Sequence, residues 1–144
     1  MINRRSFIKI GGAAAALSSI SALGCEEEQK PASQIKPVVI STWNHGLAAN
    51  ARAWEILSNG GKAIDAVEAG VRVTEEDPAV SSVGIGGSPD RSGVVTLDAC
   101  IMNEKGDCGS VACLKDIVHP ISVARKVMEE TPHVLLAGKG AEQF

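Results

Sequence analysis

A glycine-rich stretch divides the chain in two: Ser82-Val83-Gly84-Ile85-Gly86-Gly87-Ser88-Pro89-Asp90. It lies within a longer segment, residues 79–93, that shows neither helical nor strand periodicity. Loops of this length without secondary structure of their own are often functional. We expect Gly84, Gly86 and Gly87 to shape this loop, because glycine adopts backbone conformations closed to other residues. Since no Lys-Ser/Thr pair follows the glycines, the stretch is not typical of a phosphate-binding loop.

Two helices are expected before this loop. Residues 47–57 carry apolar side chains at helical spacing, and Asn59-Gly60-Gly61 is typical of a left-handed helix cap. Residues 62–76 form a second amphipathic pattern that ends at Asp77-Pro78. Ahead of both helices, the β-branched run at residues 37–43 predicts a buried strand.

The second half of the chain favours strands. The elements expected there are strands at residues 94–102 and 109–114 joined by a hairpin turn at 103–107, a helix from Pro120 to Glu130, a strand at 132–137 and a helix beginning at Gly138. Two successive helices and a hairpin argue against a doubly wound parallel sheet and favour an α+β fold. Because the last element is unfinished, we expect part of the fold to be missing from this chain.

The composition is that of a globular protein. Apolar residues make up 44% and charged residues 22% of the 144 positions, which is ordinary for a soluble domain with a core. The formal net charge is −3 and no basic cluster follows the N-terminus. The charge therefore argues against nucleic acid as a partner.

The N-terminus is typical of an export signal. Arg4 and Arg5 precede an uncharged run at residues 10–24, which is too short and too rich in Gly and Ala for a lasting membrane span. Residues 3–9 resemble the twin-arginine export signature, including its Phe and Lys. An ordinary secretory signal that carries two arginines is the alternative, and the fuller match favours the twin-arginine interpretation.

A lipid anchor is expected after this signal. Ala22-Leu23-Gly24-Cys25 resembles a bacterial lipobox, which predicts a signal peptide at residues 1–24 and lipid attachment at Cys25. Residues 25–36, rich in Glu with Pro, Ser and Gln, are expected to form a flexible tether before a domain at 37–144. The protein is therefore expected to be a bacterial periplasmic or membrane-anchored lipoprotein, in contact with the membrane only through its lipid.

The remaining cysteines allow two interpretations. Cys100, Cys108 and Cys113 are odd in number, and a disulfide between Cys100 and Cys113 is feasible in an exported protein. Alternatively, all three are buried thiols that pack as small hydrophobic residues. Their spacing fits no zinc pattern, so no metal site is expected.

Several motifs occur in an order and at a spacing typical of one family. They are Ser41-Thr42-Trp43-Asn44, residues 60–68, 82–90, Asp98-Ala99-Cys100-Ile101-Met102, residues 120–128 and residues 131–136. Together they resemble the glycosylasparaginases, also called aspartylglucosaminidases, and the resemblance runs without large gaps from about residue 37 to residue 144.

The resemblance implies an N-terminal nucleophile hydrolase with a four-layer αββα sandwich, incomplete in this chain. Such enzymes cut themselves before a Thr, which then acts as the nucleophile with its own α-amino group as base. The implied substrate is N4-(β-N-acetylglucosaminyl)-L-asparagine, cleaved at the side-chain amide without a cofactor. The implied partner is the protein's own C-terminal segment, in a dimer or heterotetramer of processed chains.

The resemblance also places the nucleophile outside this chain. The Thr residues present are Thr42, Thr74, Thr96 and Thr131, and each falls inside a segment that matches the first subunit. We therefore expect the catalytic Thr to lie beyond residue 144 and this part of the protein to be inactive by itself.

Five residues are candidates for the site. By resemblance, Ser82 supports the nucleophile by bonding its amino group, whereas a serine in a Gly-rich loop usually bonds local backbone. Trp43 matches a Trp that walls the substrate pocket, although a core or rim aromatic is equally expected from the sequence alone. His45 stands where relatives carry an aromatic residue near the substrate; a solvated loop His is the alternative. Asp65 and Asp98 fit surface and strand-end roles better than pocket roles.

Two other functions compete. Plant-type L-asparaginases, or isoaspartyl peptidases, share the fold and the nucleophile but typically carry His-Gly-Gly-Ala where this chain has Ser41-Thr42-Trp43-Asn44. That difference favours a glycosylasparaginase. An inactive truncated lipoprotein is the other alternative, and the downstream reading frame separates it from the enzymes.

Overall fold

Two helices come first in the computed structural model, which describes residues 36–144. They are α1 (Gly46–Ser58) and α2 (Ala63–Glu75). Gly60 adopts a left-handed φ of 76° between them, and its N–H donates to the Leu57 carbonyl over 3.0 Å. The helix end expected at residues 59–61 is thus confirmed.

A three-stranded sheet and two further helices follow. The elements are a 3₁₀ turn (Gly84–Gly86), β1 (Leu97–Met102), β2 (Cys108–Leu114), α3 (Pro120–Glu130), β3 (Leu135–Ala137) and α4 (Gly138–Glu142). β1 and β2 form an antiparallel hairpin, whereas β2 and β3 are parallel, with α3 as the crossover that a parallel pair requires. Helices and a mixed sheet agree with the expectation that the fold is not a doubly wound parallel sheet.

The hydrophobic core lies between α3 and the sheet. Its buried members are Ile64, Ile101, Val111, Leu114, Ile121, Ala124, Val127 and Ala141. α3 approaches β2 closely at Gly109, where an added Cβ would overlap the Ala124 carbonyl and the Met128 backbone nitrogen. This packing fixes the start of α3, and with it Pro120 and Ile121, at one end of the sheet.

The prediction of a strand at residues 37–43 is wrong. These residues form no strand, and Val38 and Ile40 are 72% and 86% exposed. β-branched residues favour a strand only where another strand offers hydrogen bonds. Within residues 36–144 the three strands pair with one another and leave this run unpaired.

Two other strands are shorter than expected. The strand expected from residue 94 begins at Leu97, because Val94 closes the preceding loop instead: its N–H donates to an Asp90 carboxylate oxygen over 3.0 Å. The strand expected at 132–137 is reduced to Leu135–Ala137. The hairpin turn at 103–107 and the helix from Pro120 to Glu130 are confirmed.

The export signal at 1–24 lies outside the described residues, as does the tether at 25–36 apart from Lys36. Within 36–144, no helix combines the length and apolar character needed to span a membrane.

Candidate active site

A cavity of about 450 Å³ lies where the segment before α1, the end of α2, the Gly-rich loop and the start of β1 meet. Trp43, His45 and Ser82 all line it, together with Gly84. The fold thus brings together side chains that are far apart in the sequence. A larger cavity of about 720 Å³, which Gly84 also lines, includes none of those three side chains.

Trp43 and His45 lie on the segment that leads into α1. The Trp43 carbonyl accepts a hydrogen bond from the N–H of Gly46 over 2.9 Å, which begins the helix. The Trp43 side chain is 72% exposed, so it belongs to the rim of the cavity and not to the core. His45 is half-buried at the N-cap position of α1. Both rings therefore reach the cavity from one wall.

Ser82 lines the same cavity from a loop that is held by hydrogen bonds within its own segment. The Ser82 loop (residues 82–87) ends with a hydrogen bond from the N–H of Gly87 to the Gly84 carbonyl over 3.0 Å. The Ser88 hydroxyl donates to the Ser81 carbonyl over 2.9 Å. Ser82 itself is exposed and lines the cavity.

Gly84 joins the Ser82 loop to the end of α2. Its φ is +62°, in the left-handed region that disfavours side chains. It is also buried, and an added Cβ would overlap the backbone of Glu75. Gly86 packs in the same way on the carbonyls of Pro78 and Val80, whereas the neighbours of Gly87 leave slightly more room. The loop is held in place by direct backbone contact.

Glu75 and His119 also belong to this region, and neither is among the site residues expected from the sequence. The Glu75 side chain is 3% exposed and lines the cavity. Its Oε1 accepts a hydrogen bond from the N–H of Ile121 over 3.0 Å, and its Oε2 lies 3.3 Å from His119 Nδ1. His119 Nε2 lies 2.8 Å from a Glu76 oxygen. One carboxylate thus joins α2 to the start of α3.

Burial raises the pKa of the Glu75 carboxyl above its ordinary value, and the hydrogen bonds from Ile121 and His119 offset part of that rise. A sequence signal for this residue exists: Glu75 continues the inward-facing helical series of Ile64, Glu68 and Val71. A charged residue at such a position needs buried partners.

The two aspartates lie in different places. Asp98 lines the cavity, and its Oδ1 accepts a hydrogen bond from the N–H of Cys113 over 2.7 Å, which accompanies the irregular register of the hairpin. Asp65 lies on the surface of α2, where its Oδ1 is 2.7 Å from Arg125 Nη1.

The cysteines match neither expectation in full. Cys100, Cys108 and Cys113 are free thiols, so the disulfide between Cys100 and Cys113 that the sequence left open is not formed. In the hairpin Cys100 pairs with Ser110, out of register with Cys113. Cys100 and Cys113 are exposed and Cys108 is half-buried, so none of them is a core residue. Within residues 36–144, no group of three or more His, Cys, Asp or Glu side chains is placed to hold a metal ion.

Comparison with known proteins decides the family. A family model described as asparaginase matches residues 28–144. The chain belongs to this asparaginase family. A second model, the twin-arginine translocation pathway signal sequence, matches residues 1–21. It supports the twin-arginine interpretation and export across the membrane.

The relatives that match this chain include glycosylasparaginases, the family that the sequence motifs resemble. N(4)-(Beta-N-acetylglucosaminyl)-L-asparaginase of Elizabethkingia miricola is 57% identical over 145 residues, which cover 99% of this chain and 43% of that protein. The mouse protein of the same name is 47% identical over 109 residues, covering 75% of this chain and 31% of the mouse protein. The rat isoaspartyl peptidase/L-asparaginase is 40% identical over 115 residues, covering 78% of this chain and 34% of that protein. The resemblance to glycosylasparaginases is confirmed, and the chain spans less than half the length of these relatives.

Proposed function

We propose that the complete gene product is an N4-(β-N-acetylglucosaminyl)-L-asparaginase. It cuts itself to expose an N-terminal Thr beyond residue 144, and then hydrolyses the sugar–asparagine amide to aspartate and the glycosylamine. The observation that carries the proposal is the cavity that unites Trp43, His45 and Ser82. It occurs in a chain 57% identical to a bacterial protein of that name.

The chemistry needs an activated hydroxyl. The Thr hydroxyl attacks the carbonyl carbon of the substrate's side-chain amide while the Thr α-amino group takes up its proton. The glycosylamine leaves with a proton, and water hydrolyses the resulting ester to release aspartate. Ser82 bonds to the α-amino group and keeps it oriented toward the hydroxyl. The position of Ser82 on the cavity wall is consistent with that supporting role.

Trp43 and His45 bind the substrate in this proposal. The exposed Trp43 ring offers an apolar face at the rim, and aromatic faces pack well against sugar rings and methylene groups. The His45 ring nitrogens can hydrogen-bond a polar group of the substrate. Gly84, Gly86 and Gly87 shape the loop that carries Ser82.

The complete architecture is a four-layer αββα sandwich. The described residues would supply one helical layer and part of a sheet, and the C-terminal segment of the same gene product would supply the rest. Processed chains would then assemble as a dimer or heterotetramer. Support comes from the family match and from the mixed helix-and-strand structure of residues 36–144.

Attachment to the membrane completes the proposal. Residues 1–24 direct export, Cys25 carries the lipid, and residues 25–36 tether the domain at 37–144 in the periplasm or at its membrane. The match of the twin-arginine signal to residues 1–21 supports the export step.

An isoaspartyl peptidase is the second candidate, favoured by the 40% identity to the rat protein of that name. The Ser41-Thr42-Trp43-Asn44 motif, in place of His-Gly-Gly-Ala, favours the glycosylasparaginase. An inactive lipoprotein is the third alternative.

A substrate comparison tests the proposal. The complete gene product is purified after self-cleavage, and kcat/KM is measured on N4-(β-N-acetylglucosaminyl)-L-asparagine and on a β-aspartyl dipeptide. We expect a preference of about tenfold or more for the glycosylasparagine, which a few selective contacts can supply. The reverse preference would identify the peptidase, and turnover of neither substrate would contradict an enzymatic function.

A further inference from the structure

We propose that Glu75 is a positioning residue that holds the Ser82 loop in its working place. The structural part of this proposal stands on the contacts of Glu75, whereas its kinetic part rests on the proposed function. Glu75 is not proposed to touch the reacting atoms. It acts through the loop that carries Ser82.

The side chain of Glu75 connects two helices at the cavity. It lies in the last turn of α2 and accepts a hydrogen bond from Ile121 in the first turn of α3. The cap position of α3 is His119, which forms no side-chain cap hydrogen bond, and Pro120 has no N–H to offer. A carboxylate favours the positive end of a helix dipole. Glu75 therefore caps α3 from a different helix.

The backbone of Glu75 supports the Ser82 loop. Gly84 is pressed against the carbonyl and Cα of Glu75 with no space for a side chain. Ser82 is two residues from Gly84, so a shift of Glu75 must move the loop or break the contact. The side chain of Glu75 thus contacts the start of α3, and its backbone contacts the Ser82 loop.

The proposed reaction depends on where the Ser82 hydroxyl lies in the cavity. Glu75 and Ser82 line the same cavity. A displacement of about 1 Å in a reacting group or in the group that orients it costs about a hundredfold in rate. A buried carboxylate that loses its partners also leaves unpaired polar groups, which favours rearrangement of its surroundings.

Glu68 provides a matched control. It lies two turns earlier on α2 and also reaches α3, where its carboxylate accepts hydrogen bonds from Ser122 Oγ and Arg125 Nη1. Glu68 does not line the cavity, and it is not among the neighbours against which Gly84, Gly86 and Gly87 pack. Glu68→Ala therefore breaks comparable helix–helix bonds without removing a side chain that lines the cavity.

The first measurement does not require activity. Amide hydrogen exchange of residues 82–87 is compared in the complete gene product, in Glu75→Ala and in Glu68→Ala. We expect about tenfold faster exchange in Glu75→Ala and a change within about twofold in Glu68→Ala. If Glu75→Ala fails to fold, His119→Ala removes one partner of the carboxylate, and about threefold faster exchange is expected. Unchanged exchange in the folded variant would overturn the proposal.

The second measurement is kinetic, per mole of processed enzyme. Glu75→Ala should lower kcat about tenfold or more and leave KM within about twofold, because Ser82 serves the nucleophile and not substrate binding. Glu75→Gln should retain at least about a third of kcat, since its amide oxygen still accepts from Ile121. Adding Glu75→Ala to Ser82→Ala should cause no further loss, and additive losses would overturn the proposal. A wild-type protein without turnover would reject the proposed function and leave the exchange result standing.

Discussion

Glu75 and Ile121 form a hydrogen bond between helices: the buried carboxylate accepts the N–H of the second residue of α3 over 3.0 Å. The bond provides a helix cap that the residues preceding α3 do not supply. It also places an ionisable group at the wall of the cavity. Stability should therefore respond to the protonation of one side chain.

The pH dependence of stability tests this burial. Burial raises the pKa of Glu75 above its ordinary value of 4.5, so the folded protein binds this proton more tightly than the unfolded chain. The resulting stability is fully present below pH 4.5 and is lost as the pH rises through the raised pKa. From about pH 4 to about pH 7, the free energy of unfolding of the wild type should fall relative to that of Glu75→Gln. Urea titrations that show a constant difference, or the opposite trend, would refute this.

Substitution at Gly84 should be far more harmful than at a comparable exposed glycine. Gly84→Ala must adopt a left-handed φ and also overlap the Glu75 backbone, so we expect a loss of about 2–4 kcal/mol. Gly93 has a φ of +79° with nothing within 4 Å of an added Cβ. Gly93→Ala should therefore cost only about 1 kcal/mol. Equal losses by urea denaturation would show that the contact with Glu75 is unimportant.

Arg125 should contribute more to stability than a simple surface pair. Its guanidinium lies 2.7 Å from Asp65 Oδ1 and 2.8 Å from both Glu68 Oε2 and Glu129 Oε1. These hydrogen bonds raise the pKa of Arg125, and the bond to Glu129 has the largest effect. Arg125→Ala should cost about 1 kcal/mol or slightly more, because the side chain joins α2 to α3 and is only partly exposed.

Arg52 is the control for Arg125. It forms one exposed ion pair with Glu55 within α1, so Arg52→Ala should cost no more than about 0.5 kcal/mol. The loss in Arg125→Ala should also shrink when the salt concentration is raised to about 1 M, as expected for partly exposed charges. A larger loss in Arg52→Ala than in Arg125→Ala would contradict the assigned network.

The proposed lipid anchor gives a test by fractionation. Cys25→Ser removes the acceptor for the lipid and should move the protein from the membrane fraction to the soluble periplasmic fraction, because several acyl chains hold a protein firmly at a membrane. Cys100→Ser is the control and should leave the distribution unchanged. If Cys25→Ser fractionates like the wild type, the lipid assignment fails. The twin-arginine export signal would remain in place.

Local signals in the sequence predicted most of the secondary structure. Gly60 ended a helix and Pro120 began one, because each acts through its own backbone angles. The turn at 103–107 likewise depends on bonds within it, including one from the Asp107 N–H to the Asn103 side chain over 3.0 Å. Such features need no information from distant parts of the chain.

The features that the sequence did not predict depend on interactions between residues that are far apart in the sequence. Residues 37–43 have the composition of a strand, but a strand also needs a partner, which composition does not reveal. The sequence places Glu75 in a helix but does not indicate that it caps another one. That role depends on Ile121, which is 46 positions away. The candidate residues Trp43 and Ser82 came from a resemblance to a family, and their shared cavity became evident only in three dimensions.

In the proposed function, the Ser82 hydroxyl supports the nucleophile of a glycosylasparaginase. The most direct test measures aspartate release from N4-(β-N-acetylglucosaminyl)-L-asparagine by the processed gene product, by Ser82→Ala and by Ser81→Ala. Loss of the Ser82 hydroxyl should lower kcat about tenfold to a hundredfold, whereas loss of the adjacent Ser81 hydroxyl should change it by less than about twofold. Equal rates for Ser82→Ala and the wild type would contradict this role of Ser82.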